Sequence, residues 1–178
     1  QKNYNTNITE LFNVNDLKFS SNSKVLFNNF SNKYEYVIKN VNSNADNSKN
    51  FKSGSDQKLL GMINFVTKYP LFKEDDNYKS YLTPTVSFKL SPNKSKNYSD
   101  LDRRLNFQNI FSLDRLGKED TVEGGQSLSL GFDYSKKSIN DDDYFSFGMA
   151  NVIRNKSDSD LPLKSSLNKL KERSNNAL

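Results

Sequence analysis

The side chains best suited to chemistry lie close together between positions 103 and 123. They are three arginines and two carboxylates: Arg103, Arg104, Arg115, Asp120 and Glu123. Arginine binds carboxylates and phosphates through parallel, bidentate hydrogen bonds. The cluster therefore predicts mainly a network that holds a loop in a folded-in position, and it could also contact the phosphates of a ligand. The alternative is a solvated loop, in which each ion pair contributes little.

The other polar motifs of the sequence do not predict a metal, phosphate or catalytic site. Asp141–Asp143 offer oxygens of the kind that Ca²⁺ binds, but adjacent residues in a short turn lack the spacing of a calcium loop. Gly124-Gly125 is not followed by a helical pattern, so it is no phosphate-binding loop. The absence of His and Cys excludes disulfides, a Ser-His-Asp triad and histidine or thiolate zinc sites. We expect no enzyme activity, no metal and no cofactor.

The charged cluster leads directly into a stretch of strict two-residue alternation, which predicts the strand that positions it. One face of residues 127–134 is apolar and the other is small or polar. The apolar face consists of Leu128, Leu130, Phe132 and Tyr134, and the opposite face of Ser127, Ser129, Gly131 and Asp133. The apolar face of such a strand must lie against lipid or a packed core, and its polar face must meet water.

Further strands are predicted on both sides of this one. Residues 33–40, 59–69, 81–90 and 144–154 alternate similarly, and Phe145, Phe147 and Met149 share the apolar face of the last. In residues 9–19 the apolar side chains change parity between Val14 and Leu17, which predicts a β-bulge.

Between the strands, the connections are expected to alternate in length. Long ones are predicted at 41–57, at 91–126 and after 155; short ones are predicted at 21–32, 70–80 and 136–143. The polar tail, 155–178, is expected to be a poorly ordered end or a short helix with Leu163, Leu167 and Leu170 on one side.

Two all-β architectures fit these faces. In a soluble β-sandwich the apolar faces would pack against each other. In a transmembrane β-barrel they would face lipid, and the polar faces would line the lumen. Strands of about 9–11 residues have the length that crosses a bilayer. Tyrosines at strand ends and the alternating loop lengths also favour the barrel.

The composition agrees with this interpretation. Hydrophobic residues make up 34% of the chain, below the roughly 45–50% of a soluble domain, yet 13 Phe and 9 Tyr argue against disorder. No apolar run approaches the roughly 18 residues of a spanning helix, which leaves β-barrels open. The net charge of +5 is modest, and Tyr34 and Tyr36 lack interleaved basic residues, so no nucleic-acid partner is expected.

Three stretches between residues 81 and 163 resemble a known family. They are YLTPTVSFKLSP, then DRRLNFQNIFSLDRLGKEDTVEGGQSLSLGFDY, then YFSFGMANVIRNKSDSDLP. Their wording and order are similar to the C-terminal barrel domain of the LPS-assembly protein LptD. The segment with YVIKNVNSNADNSKNFKSG and KYPLFK also looks like the part that precedes this domain.

The resemblance implies that residues 1–178 are a fragment of an LptD-like barrel domain. We expect an antiparallel up-and-down transmembrane β-barrel, represented by about six to eight strands of a larger barrel, in the cell outer membrane of a Gram-negative bacterium. The implied function is insertion of lipopolysaccharide into the outer leaflet. The implied partners are lipopolysaccharide, an LptE-like plug lipoprotein, periplasmic LPS-bridge components and outer-membrane lipid.

The sequence leaves two alternatives open. One is another outer-membrane barrel, such as a porin or an uptake receptor, in which residues 103–125 would form a variable, exposed loop. The other is a soluble β-sandwich binding module. In the barrel interpretation the side chains Leu128, Leu130, Phe132, Tyr134, Phe145, Phe147 and Met149 face lipid, and the arginine–carboxylate cluster shapes the lumen or its outer mouth.

Overall fold

A computed structural model describes residues 7–26, 29–140, 142–165, 167 and 174–177, and its secondary structure is almost entirely β. The all-β prediction is confirmed. The strands are β1 (Thr9–Ser20), β2 (Lys24–Leu26), β3 (Phe30–Asp46), β4 (Gly54–Lys68), β5 (Leu71–Glu74), β6 (Tyr78–Ser91), β7 (Gly125–Ser138), β8 (Asp143–Arg154) and β9 (Ser174–Ala177). No helix among the described residues is long and apolar enough to cross a membrane.

All nine strands belong to one antiparallel sheet with an up-and-down order. The order is β1-β3-β4-β6-β7-β8-β9; β2 pairs with β3 beyond the end of β1, and β5 pairs with β6 beyond the end of β4. Within the described strands, the sheet is not closed, and β1 and β9 are its edges.

The two faces of the sheet have different neighbours. We call the face with Val37, Leu60 and Ser129 the inner face; it is covered by residues 92–124, the inner loop, and by residues 155–165 and 167. The opposite, outer face carries large apolar side chains that remain exposed, such as Ile63 and Phe88. The packed core therefore lies between the sheet and the inner loop, on the face that has the more polar strand residues.

Strand β1 is regular, and the predicted β-bulge is wrong. Every residue from Thr9 to Ser20 pairs in unbroken register with β3. The change of parity arises because the strand is apolar on different faces at its two ends. Val14 packs under the inner loop, whereas Leu17 and Phe19 lie on the outer face, where Phe19 stacks on Tyr36 with ring centroids 5.0 Å apart.

The predicted long loop at 41–57 is also wrong, and with it one of the long connections in the expected alternation. Strand β3 continues to Asp46 and β4 begins at Gly54, so only residues 47–53 connect them. Asn and Ser are poor strand formers, but this part of β3 is paired on both sides, with Val41 and Ala45 buried on the inner face. Asn47 (φ 54°) and Gly54 (φ 83°) end the two strands in the left-handed conformation that Asn and Gly tolerate.

Other connections differ from the prediction in smaller ways. The expected connection 70–80 contains β5, and residues 105–113 form turns within the inner loop. In the tail, Leu163–Ser165 form a single 3₁₀ turn and Leu167 is buried, while Leu170 lies outside the described residues.

The pairing between β4 and β6 is much shorter than that between the other long strands. It runs only from Ile63–Leu90 to Lys68–Thr85, whereas the β3–β4 pairing extends from Ser31–Lys68 to Asn44–Ser55. Beyond it, side chains replace the backbone ladder. Asn93 Oδ1 accepts a hydrogen bond from Gly61 N (2.7 Å), and Asn93 Nδ2 donates to Leu59 O (3.2 Å).

Candidate functional site

The inner loop is held against the inner face by two apolar clusters. In one, Leu105, Ile110 and Leu116 of the loop pack with Ala150 and Val152 of β8. In the other, Val122 and Leu113 pack on Val37, Val41, Leu60 and Met62 of β3 and β4. Each buried Leu, Ile or Val side chain contributes about 1.5–3 kcal/mol on burial. The loop is therefore part of the core of the sheet and not a solvated excursion.

The charged groups of the site converge on Glu123, just before β7. Arg115 Nε donates to Glu123 Oε2 (2.7 Å) and Arg115 Nη2 donates to Oε1 (2.5 Å), a bidentate pair. Arg154 Nη1 at the end of β8 also donates to Oε1 (2.5 Å), and Lys89 Nζ of β6 lies 3.7 Å from Oε2. All four side chains are at most 3% exposed.

The remaining donors of these cations tie the loop to three strands. Arg115 donates to Ser129 Oγ (3.0 Å) and to Ser127 Oγ (2.6 Å) on β7. Arg154 Nη2 donates to Gly124 O (2.5 Å), and Lys89 Nζ donates to Ser112 O (2.7 Å). The small serines leave space for the guanidinium and supply acceptors, which explains the polar, small face of β7.

The electrostatics of Glu123 are those of a permanently charged anchor. Burial by itself raises the pKa of a carboxyl group. The charges of Arg115, Lys89 and Arg154 and the hydrogen bonds from Arg115 outweigh it, so they lower the pKa of Glu123 from 4.5 to about 2. Three buried cations around one carboxylate make a structural clamp, because their hydrogen bonds hold the inner loop against β6, β7 and β8.

Asp120 belongs to a second, separate group. It accepts hydrogen bonds from Lys96 Nζ and from Tyr98 Oη (2.5 Å). Burial opposes ionisation of Asp120, but these two hydrogen bonds and the charge of Lys96 lower its pKa. Burial and the hydrogen bond to Asp120 raise the pKa of Tyr98. The group lies at the edge of the inner loop and is partly open to solvent.

The five residues of the predicted cluster are thus only partly brought together. Arg115 and Glu123 form the buried pair, and Arg103 joins through the backbone, since its Nε donates to Arg115 O (2.7 Å). Asp120 lies in the second group. Arg104 is exposed, with its side chain 79% accessible and its Nε 4.0 Å from Asp102.

Sequence reasoning missed Lys89 and Arg154, which complete the clamp. Both stand at inner-face positions near strand ends that adjoin the inner loop and the tail. Asn64 was also missed: it is fully buried on the inner face, donates to Glu35 Oε2 and Phe111 O (3.0 Å each) and accepts from Ser87 Oγ (2.6 Å). The signal was available, because a charged or amide side chain at an inner position requires a partner.

The residues predicted to face lipid lie on the outer face. Leu130, Phe145 and Met149 are 40–53% exposed, and the others are partly covered by their neighbours. Rings pack along this face, for example Phe132 on Phe147 at 5.6 Å and Tyr134 on Phe147 at 5.7 Å. The full set of residues predicted to face lipid is Leu128, Leu130, Phe132, Tyr134, Phe145, Phe147 and Met149.

The other residues considered from the sequence, Asp141–Asp143 and Gly124, lie in a turn or at a tight backbone contact. Asp141 lies outside the described residues, and Asp142 and Asp143 are exposed. In the described part of the chain, no group of three His, Cys, Asp or Glu side chains is placed to hold a metal ion. Gly124 allows a close backbone approach, because a Cβ there would lie 2.4 Å from Asn93 O.

Comparison with known proteins adds no identification. No protein-family model matches the chain, and no curated protein sequence matches it significantly.

Proposed function

We propose that this chain is part of an outer-membrane β-barrel, with the outer face against lipid and the inner face, with its packed loop, toward the lumen. The observation that carries the proposal is a band of exposed apolar side chains that runs across the outer face from strand to strand. One row across the sheet pairs Tyr34, Phe65, Phe88, Leu128 and Ile153 in sequence along five strands.

On the side of the long inner loop, the outer face of β1, β3 and β4 changes from mainly apolar to mainly polar residues. Leu17 pairs with Ile38, the last apolar outer residue of β3; one step further, Asn15 pairs with Asn40, and beyond that Asn13 pairs with Asn42. Leu59 is the last apolar outer residue of β4 and is followed on that face by Gln57, which pairs with Asn42. Because Leu59 pairs with Asn40, the band ends one outer position further on β4 than on β3, and Leu11 of β1 lies beyond this limit.

The height of the band suits a bilayer. On β3 it extends from Phe30 to Ile38, and nine residues at about 3.3 Å each reach roughly 30 Å along the strand. A barrel tilt of about 40° reduces this to about 23 Å, close to the apolar band of roughly 25 Å in outer-membrane barrels.

Aromatic side chains gather at the opposite limit of the band. Phe30 packs on Tyr69 with centroids 4.6 Å apart, and Tyr78 packs on Tyr144 at 5.4 Å. Lys136 Nζ lies 3.9 Å from the centroid of the Tyr78 ring. Amphipathic rings with an adjacent cation are typical of the bilayer interface.

Polar interruptions of the outer face are few and mostly self-satisfied. Thr67 Oγ1 donates to Asn32 Oδ1 (2.8 Å), which removes two polar groups from contact with hydrocarbon. Asn151 lies on the same face, half-buried between its neighbours. Pairing within the sheet lowers the cost of polar side chains in lipid.

For the function of the barrel we propose transport and assembly of lipopolysaccharide, as a conduit and not as an enzyme. This assignment rests on the resemblance of residues 81–163 to the LptD family, which also supplies the proposed partners: lipopolysaccharide, an LptE-like plug lipoprotein and periplasmic bridge components. The burial of the inner loop counts against the alternative in which residues 103–125 form a variable, exposed loop of a porin or uptake receptor.

The membrane proposal is tested by the solvent that the chain requires. We expect the purified 178-residue chain to fold, by circular dichroism and analytical ultracentrifugation, only in detergent or lipid, because its edges and outer face otherwise associate. A chain that remains folded and monomeric in detergent-free buffer would favour the soluble β-sandwich.

The transport proposal needs a cellular measurement. Depletion of the protein in its host should reduce newly synthesised lipopolysaccharide at the cell surface, measured by labelling intact cells. Unchanged surface lipopolysaccharide would contradict the transport function and leave the porin alternative.

A further inference from the structure

An apolar groove of about 610 Å³ lies on the outer face, where β4 and β6 separate. The β4–β6 pairing ends at Ile63–Leu90, and the groove opens over Gly61, the next outer position of β4. We propose that this groove binds one acyl chain of a zwitterionic phospholipid. The inference rests on the proposal that the outer face lies in lipid. The volume of the groove lies in the range of about 300–1,000 Å³ that is typical of small-molecule sites.

The groove exists because Gly61 has no side chain. A Cβ at this position would meet only Val37 O, at 4.0 Å, so the space above the residue is open. Ile38, which pairs with Gly61, and Ile63, the next outer residue of β4, project on two sides of it and are 44% and 56% exposed. The surface that lines the groove is almost entirely carbon. A hydrocarbon chain in it gains dispersion contacts on several sides, whereas a polar ligand would find few partners.

The walls of the groove are held in place by their neighbours. Tyr36 stacks on Phe19 of β1 with ring centroids 5.0 Å apart, and Tyr34 packs on Phe65 of β4 at 4.9 Å. On the other side, the amide of Asn93 fixes the separation of the strands through its hydrogen bonds to β4. A pre-formed groove needs little reorganisation on binding, which favours affinity. It can therefore hold one chain longer than the flat remainder of the outer face does.

The length of the groove suits a chain from one leaflet of a bilayer. On β3 the apolar band extends from Phe30 to Ile38, and the groove runs along it from Tyr34 to Ile38. Four steps of about 3.3 Å give roughly 13 Å along the strand, about half of the band. The acyl chains of a single leaflet fill one half of the hydrocarbon core. The groove therefore begins at headgroup height and ends near the middle of the band.

The side chains beside the open end of the groove favour a headgroup without net charge. The outer residues that follow it on β3 and β4 are amides, and Gln57 Nε2 donates to Asn40 Oδ1 (3.3 Å). The neighbouring cation Lys39 belongs to the inner face, where its Nζ donates to the carbonyl oxygens of residues 118 and 119. Amides hydrogen-bond to both ester oxygens and an ammonium group. A strongly anionic headgroup would instead need cations on the outer face.

The test is native mass spectrometry of the full chain folded in detergent micelles. Phosphatidylethanolamine is the probe, and bis-phosphorylated lipid A is the anionic contrast. We expect one phosphatidylethanolamine to be retained at detergent concentrations that remove other lipids, and to be preferred over lipid A. Gly61→Leu fills the groove and should weaken this retention about tenfold, a factor that corresponds to the loss of roughly ten dispersion contacts.

The matched control is Val86→Phe, which adds the same number of carbon atoms at an exposed outer position of β6 outside the groove. It should leave retention unchanged, and circular dichroism checks that each variant folds. Gly61→Ala fills less of the groove, so it should weaken retention less than leucine does and keeps the test valid if leucine disturbs folding.

Four results would overturn the inference: no retained lipid, preference for lipid A, equal retention by the wild type and both Gly61 variants, or a dimer of the chain that Gly61→Leu dissociates. The last would show that a second copy covers the groove. If the chain folds only in detergent or lipid but retains no phospholipid, this inference fails and the membrane proposal stands. If the chain folds without detergent, the membrane proposal itself fails.

Discussion

Replacement of Glu123 by Gln is the sharpest test of the clamp under the inner loop. The substitution keeps the shape of the side chain and removes its charge, which leaves Arg115, Arg154 and Lys89 buried around a neutral amide. Each of these cations keeps a hydrogen bond to a serine or a carbonyl oxygen, so the main change is electrostatic.

The magnitude follows from the electrostatics of the site. Glu123 has a pKa of about 2 in place of 4.5, and each pKa unit corresponds to about 1.4 kcal/mol. After the opposing effect of burial, the surroundings of Glu123 therefore favour the ionised carboxyl by a net amount of about 3 kcal/mol. This is the lower end of the roughly 3–5 kcal/mol that loss of one partner from a buried ion pair costs. We expect Glu123→Gln to lower the free energy of unfolding by this amount.

The assay is urea unfolding in detergent micelles, monitored by circular dichroism, with Glu119→Gln as the matched control. Glu119 is an exposed carboxylate of the same loop, and only its backbone oxygen takes part, as an acceptor for Lys39. The control should change stability by less than about 0.5 kcal/mol.

A double substitution separates the electrostatic explanation from a packing effect. If uncompensated positive charge causes the loss, Arg154→Met in the Glu123→Gln background should recover part of it, a coupling of about 0.5–3 kcal/mol. A Glu123→Gln variant as stable as the Glu119→Gln control, or strictly additive substitutions, would refute the reasoning.

Three further predictions concern pH, lipid contact and packing. Because the pKa of Glu123 is lowered on folding, its stabilisation is complete above about pH 4.5 and disappears as the pH falls through about 2. The difference in the free energy of unfolding between the wild type and Glu123→Gln should therefore shrink as the pH is lowered through this window. A difference that stays constant would contradict the assignment. Leu130→Arg should cost about 2–4 kcal/mol in lipid and Asn42→Arg, beyond the apolar band, about 0–1; equal effects in bilayer-unfolding measurements would count against the band. Gly124→Ala should cost about 1–3 kcal/mol in the same urea assay, because the new Cβ meets Asn93 O at 2.4 Å; a neutral effect would mean that the backbone there yields easily.

Two-residue alternation was sufficient to predict the outer face of most strands. It worked for Leu128 to Tyr134 because their environment is the same along the strand. It failed in β1, where Val14 and Leu17 are apolar for different reasons, one toward the inner loop and one on the outer face. It also failed at the end of β3, where Asn42 and Asn44 on the outer face and Ser43 on the inner face conceal a strand that its neighbours stabilise.

The site was predictable in its composition but not in its contacts. Arg115 and Glu123 are eight residues apart in an irregular loop, and no periodicity relates such positions. Lys89 and Arg154 reach the same carboxylate only because β6, β7 and β8 are adjacent in the sheet and because the loop folds inward. Tertiary packing decides this, and local sequence rules do not contain it.

The short pairing between β4 and β6 has a mechanical consequence. Backbone ladders resist bending and shear along their whole length, whereas here the rigidity of the sheet is interrupted by a joint that the Asn93 amide bridges with two hydrogen bonds. The sheet therefore behaves as two stiff panels, β1–β4 and β6–β9, joined by a compliant line. Changes of curvature at that line are resisted by the inner loop, which spans it: Val122 packs on β3 and β4, whereas Arg154 and Lys89 tie the adjacent Glu123 to β8 and β6.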